Sequence, residues 1–161
     1  LSKRVKFDIK TTAAQHYRRV VIQSKMRETK EEQTMIKYEN ALMKGKTGQF
    51  DGLGRAPQGV NDGNGFVFIS HVGDVYPSGL LPIKAGNVKQ TPLADIYRES
   101  PIFKDLRSPD KYKGKCGVCE FRYVCGGSRS RAYAMTGDYM ESEPFCVYIP
   151  KALRKKEEQI K

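Results

Sequence analysis

The sequence predicts an α+β fold: a small antiparallel β-hairpin, several short helices and a metal-binding cysteine loop, with a helical segment upstream. Three observations predict it. All four cysteines of the 161-residue chain lie in one stretch, from Cys116 to Cys146. The run "GFVFISHVGDVYP" places two apolar segments around a turn. Two steps, Thr91-Pro92 and Ser100-Pro101, each precede apolar residues at helical spacing, and proline is pre-organised for a first helical position.

Taken along the chain, "VKFDIK" (5–10) alternates apolar and polar residues and reads as a short strand. Thr12 followed by Gln15 fits a capping box, so a helix starts there, with Tyr17, Val20 and Val21 as its apolar stripe. Thr29 and Glu32 repeat the signature, and a second helix over about 30–43 buries Met35, Ile36, Leu42 and Met43. Residues 45–64 are rich in glycine and turn formers and read as a loop. The strand at 65–70, the turn at "HVGD" and the return at "VYP" make the hairpin. The helix after Thr91 turns Leu93, Ile96 and Tyr97 inward, and the helix after Ser100 turns Ile102, Phe103 and Leu106 inward. A charged helix or tail, 151–161, closes the chain. The resulting division is 1–44, 45–64, 65–150 and 151–161.

Composition narrows the class. Hydrophobic residues are 39% and charged residues 29%, which suits a globular chain with a modest core. No apolar run approaches the roughly 18 residues of a membrane helix, and the charged start "LSKRVKFDIK" is no signal peptide, which points to a cytoplasmic setting without a membrane. The first residue is Leu1, as expected of a fragment. Net charge is +11, of which +7 sits in residues 1–49. A basic segment meets nucleic acid, phosphate or an acidic partner, or is simply a solvated face. The scattered Lys and Arg on helical patterns favour the solvated face.

The cysteine spacing is Cys-x2-Cys-x5-Cys-x20-Cys, from Cys116, Cys119, Cys125 and Cys146. Two residues between the first pair let both sulfurs face one centre; a third ligand follows a short loop and a fourth comes from a distant segment. A four-thiolate zinc site and a cubane iron–sulfur cluster both accept that arrangement. Gly117, Gly126 and Gly127 let the backbone approach the sulfurs, and Arg122, Arg129 and Arg131 can offset thiolate charge. Disulfides fit poorly, because nothing points to secretion. Structural zinc is the serious rival, although a zinc ribbon shows two Cys-x-x-Cys pairs and this chain shows one.

The stretch "CGVCEFRYVCGGSRSRAYAMTGDYMESEPFC" resembles the C-terminal auxiliary-cluster region of radical S-adenosylmethionine enzymes, of SPASM/twitch type. The preceding "GFVFISHVGDVYPSGLLPIKAGNVKQTPLADIYRESPIFKDLRSP" is similar to the hairpin and short helices of that region, and "IKTTAAQHYRR" to the strand–helix junction before it. The subgroup resembled acts in haem d1 and alternative haem biosynthesis. The resemblance implies a [4Fe–4S] cluster on Cys116, Cys119, Cys125 and Cys146, used in electron transfer or substrate positioning. It further implies a larger α/β-barrel oxidoreductase of which this chain is the C-terminal part. The barrel of the same polypeptide would bind S-adenosylmethionine, with a tetrapyrrole or a peptide as substrate. Ser78 and Arg129 stand where full SPASM members carry further cysteines, so thiols suffice for one cluster, as in the twitch variant. No Cys-x3-Cys-x2-Cys motif occurs in this chain, and it has no catalytic residue of its own to assign. The alternative is a zinc-binding four-cysteine module with a basic nucleic-acid-binding surface, which the resemblance disfavours.

Other candidates carry less. His16, Arg18 and Arg19 at a helix start suit a carboxylate or phosphate, but read first as a surface helix end. His71 falls in the hairpin turn. "GQFDGLGR" and "GVNDGNG" lack the strand and helix context of a phosphate loop. Asp138 and Tyr139 read as turn residues near the last cysteine.

Overall fold

A computed structural model describes residues 15–29 and 61–157. Helix α1 spans His16–Thr29. The helix expected after Thr12 is therefore present and continues through Thr29. The strand expected at 5–10, the helix at 30–43 and most of the loop at 45–64 lie outside the described residues.

Three short strands form an antiparallel sheet in chain order: β1 (Phe68–Ile69), β2 (Asp74–Tyr76) and β3 (Gly86–Asn87). The predicted hairpin is β1–β2, with Phe68 opposite Tyr76 and Ile69 opposite Val75. The third strand was not legible in "KAGNVK"; it pairs Gly86 with Val75 and Asn87 with Asp74. Glycine is needed at 86 because Ile96 packs against its Cα: a Cβ there would stand 3.0 Å from Ile96 Cδ1.

Helices α2 (Leu93–Glu99) and α3 (Pro101–Leu106) follow the two proline steps, and Ser100 serves as the boundary between them. Their apolar residues close the sheet. Val75, Leu81, Ile96, Ile102, Phe103 and Leu106 form one buried cluster, and Tyr97 packs at its edge with its ring 5.0 Å from that of Phe103. Leu93 departs from expectation. It lies in the first turn of α2 and is exposed.

A 3-10 turn (Pro109–Lys111) and a single turn of helix, α4 (Gly114–Gly117), lead into the cysteines. Helix α5 (Arg129–Thr136) starts after Cys125, with Ser128 Oγ accepting from the Arg131 N–H, and ends at Gly137 in the left-handed conformation, φ 75°. Helix α6 (Lys151–Glu157) completes the described chain. A second apolar cluster joins Ile22 of α1 to Phe121 and Val124, with Cys119, Cys125 and Tyr148 against it. Here too the stripe differs from expectation: Tyr17 and Val20 are exposed, and Ile22 is buried. Among the described residues, no helix is long and apolar enough to cross a membrane.

Candidate metal centre

Cys116 lies within the single turn α4, Cys119 and Cys125 bracket a tight loop, and Cys146 sits on the segment that precedes α6. The structure brings all four to the wall of one cavity of about 360 Å³ of empty space that opens to solvent. None is paired in a disulfide, and each is partly buried. His16, Arg19, Lys115 and Arg122 share that wall. The reading of His16 and Arg19 as a surface helix end thus gives way to a place beside the cysteines, because Ile22 docks α1 onto Phe121 and Val124.

Backbone N–H groups address the sulfurs. Phe121 donates to Cys119 Sγ at 3.4 Å and Glu143 donates to Cys116 Sγ at 3.3 Å. Cys125 receives the backbone N–H of Gly127. Gly126 and Gly127 both hold positive φ, at 65° and 64°, which turns the chain sharply after Cys125. A Cβ on Gly127 would stand 3.4 Å from Cys116 Sγ and would crowd the Arg129 guanidinium. Such a cradle of amides and glycine suits sulfur anions.

Two buried ionic side chains hold the cradle. Glu143 is fully buried and accepts from the Ser128 N–H at 2.6 Å, from Arg131 Nε at 2.9 Å and from the Phe145 N–H at 3.3 Å. It thereby ties the segment before Cys146 to the start of α5. Arg129 is also fully buried. Its guanidinium donates to the carbonyls of Tyr139 at 3.1 Å and Glu141 at 2.6 Å, reaches Cys116 Sγ at 3.5 Å, and lies 4.4 Å from the Tyr112 ring centre. Arg131, by contrast, pairs with Glu143, and Arg122 pairs with Asp110 at the surface.

Asn61 and Asp62, which the sequence placed in a featureless loop, are buried here. Asn61 Nδ2 donates to the Gly127 carbonyl at 2.9 Å, and Asp62 Oδ2 accepts from the Ser130 N–H at 2.9 Å. The carboxylate at the N-terminus of α5 is favoured by the exposed N–H groups there. "NDGNG" (61–65) is therefore a brace for the cysteine loop rather than a phosphate loop, and "GQFDGLGR" lies outside the described residues. Asp138 has the expected turn role, accepting from the Met140 N–H at 2.8 Å, and His71 is exposed in the hairpin turn.

Burial pushes the thiols of Cys119 and Cys125 up to about 11, and neighbouring cysteines add to the shift. The metal-free fold therefore favours neutral thiols, whereas an unfolded chain ionises them near 9. Stability from this source is complete below pH 9 and is lost as pH rises toward 11. The expected result is a lower urea midpoint for metal-free protein at pH 10 than at pH 8. The fall should be smaller in the Cys119→Ala/Cys125→Ala variant; an equal fall in both proteins would show that other groups carry it.

Fit to a metal group can be judged from the donors. Among the described residues, no three His, Cys, Asp or Glu side chains stand close enough to hold a single ion. Four thiols nevertheless surround one cavity, with amide donors on their sulfurs. A sulfur-rich inorganic group that separates its ligands fits this donor set.

Comparison with known proteins agrees. Residues 61–120 match the SPASM model, described as an iron–sulfur cluster-binding domain. The chain is 41% identical over 150 residues to the AdoMet-dependent heme synthase of Methanosarcina barkeri, which covers 93% of this chain and 39% of that protein. It is 40% identical over 151 residues to the AdoMet-dependent heme synthase of Nitratidesulfovibrio vulgaris, covering 94% and 37%. It is 38% identical over 92 residues to the pre-heme d1 synthase of Dinoroseobacter shibae, covering 55% and 23%. The chain thus spans about two fifths of the length of the first two relatives. With the sheet, short helices and cysteine loop already described, these matches show that the chain carries the SPASM iron–sulfur cluster-binding domain of radical S-adenosylmethionine enzymes.

Proposed function

We propose that Cys116, Cys119, Cys125 and Cys146 ligate one [4Fe–4S] cluster, and that this domain serves a longer enzyme by passing single electrons at a tetrapyrrole substrate. The observation that carries the reading is the gathering of all four cysteines on one cavity, with backbone N–H groups addressing three of their sulfurs. A mononuclear zinc site draws each sulfur to about 2.3 Å from one centre. A cubane gives each thiolate its own iron, and so spreads them. When bound, the cluster supplies a site that takes up and releases one electron at a time. With four thiols available, every iron has a protein ligand, which favours electron transfer over substrate binding at an open iron.

The chain's own residues do the rest. Phe121, Gly127 and Glu143 direct backbone N–H groups at the sulfurs. Glu143 and Asn61 fix the loops on which the ligands sit. Phe121 and Val124 exclude water from one side. The remainder of the longer protein would be an S-adenosylmethionine-binding barrel, and α1 the helix that joins it to this domain. A tetrapyrrole is favoured over a peptide because the relatives matched over more than nine tenths of this chain are named heme synthases.

Anaerobic reconstitution with iron and sulfide tests the ligation. The expected product is brown, with about four iron and four sulfide per chain. One tightly bound zinc per chain, with no uptake of sulfide, would establish the zinc module instead.

A further inference from the structure

Among the described residues, the buried side-chain polar atoms without a partner are Gln15 Oε1, His16 Nε2, Arg19 Nε and Arg129 Nε. Native folds rarely leave buried donors unmade, because each unmade bond costs roughly 1–3 kcal/mol. Three of these atoms are nitrogens, and all three belong to residues on or beside the cysteine cavity. His16 and Arg19 line it, and Arg129 touches Cys116 Sγ. The Arg19 guanidinium is held 4.6 Å over the Tyr148 ring, and its Nη1 donates to Gln23 at 2.8 Å, which leaves Nε to face elsewhere. His16 Nε2 is likewise buried at the cavity without a partner. Arg129 reaches no carboxylate through its hydrogen bonds: its acceptors are two carbonyls and a sulfur.

Among the described residues no partner answers these three nitrogens. We propose that Arg129, Arg19 and His16 donate hydrogen bonds to the sulfur atoms of the iron–sulfur group in the cysteine cavity and thereby set its reduction potential. The inference rests on the cluster reading above. All three residues lie outside the matched 61–120 segment and two sit on α1, so the segment that precedes the SPASM domain helps to tune the site. Donors to cluster sulfur and nearby positive charge both favour the reduced form, which carries one more electron. These are positioning residues: they act on the cluster through its sulfurs and ligate no iron.

The test uses the 161-residue chain, reconstituted anaerobically with iron and sulfide, and titrated with dithionite as one-electron donor while the reduced cluster is followed by electron paramagnetic resonance. Arg19→Gln and Arg129→Gln should each make reduction about tenfold less favourable, a midpoint about 59 mV more negative for one electron. His16→Phe should move it in the same direction. Arg19→Lys should recover part of the loss by restoring charge. Lys104→Gln, which removes an exposed cation paired with Glu99, should leave the midpoint unchanged and so separate contact from net charge. Full iron and sulfide content with wild-type midpoints in Arg19→Gln and His16→Phe would overturn the inference and leave the ligation standing. A wild-type chain that takes up no sulfide would overturn the ligation and the inference together. Should Arg129→Gln fail to fold, the two α1 variants decide the matter, because they are partly exposed and outside the main core.

Discussion

Replacing Glu143 with alanine is expected to cost about 3 kcal/mol of stability and to abolish cluster retention. The side chain is fully buried and satisfies three donors at once: Ser128 N–H, Phe145 N–H and the Arg131 guanidinium. Its removal strands two backbone donors and leaves Arg131 without its partner. It also frees the backbone whose own N–H addresses Cys116 Sγ at 3.3 Å. Glu143→Gln should cost less than Glu143→Ala, since an amide oxygen still accepts one backbone bond while its NH2 opposes the other donors. Chemical denaturation of both variants measures the difference. Wild-type stability and iron content in Glu143→Ala would show that the carboxylate does not hold these loops together.

Cys146→Ser is expected to weaken cluster retention by on the order of 100-fold or more, because a proposed ligand is lost outright and even indirect partners of metal ligands typically cost 10–100-fold. Hydrogen exchange should rise through 128–146 in concert. Without that ligand, the segment is tied to the cavity by Glu143, by Lys115 donating to the Cys146 carbonyl, and by Tyr148 bonded to Glu120. Chelator challenge gives the retention and exchange mass spectrometry the loosening. Equal iron release and equal exchange in variant and wild type would leave Cys146 without a role as ligand.

The cysteine spacing was readable because a metal site needs thiols at short separations, and spacing is a linear property. The hairpin and the α2 and α3 helices were readable for the same reason: alternation, turn residues and Ser/Thr-Pro steps act over a few neighbours. What escaped was fixed by contacts across the chain. Asn61 finds Gly127 and Asp62 finds Ser130 across more than sixty residues, and nothing in "VNDG" marks them as braces. Arg129 reads on a par with Arg122 and Arg131 as a cation beside the thiolates until its burial under Tyr112 and two carbonyls sets it apart. Ile22 is buried because Phe121 and Val124 meet that face, which left Tyr17 and Val20 outside. Leu93 is exposed because α2 is a short helix, in which one inward position, Ile96, closes the sheet. Gly86–Asn87 is too brief a strand to show a period.

The apolar residues around Phe103 and Leu106 share no member with those around Phe121 and Val124. Loss of a group held by the cysteines would therefore disturb the smaller cluster and spare the larger, leaving a foundation on which the site can be rebuilt without a newly made chain.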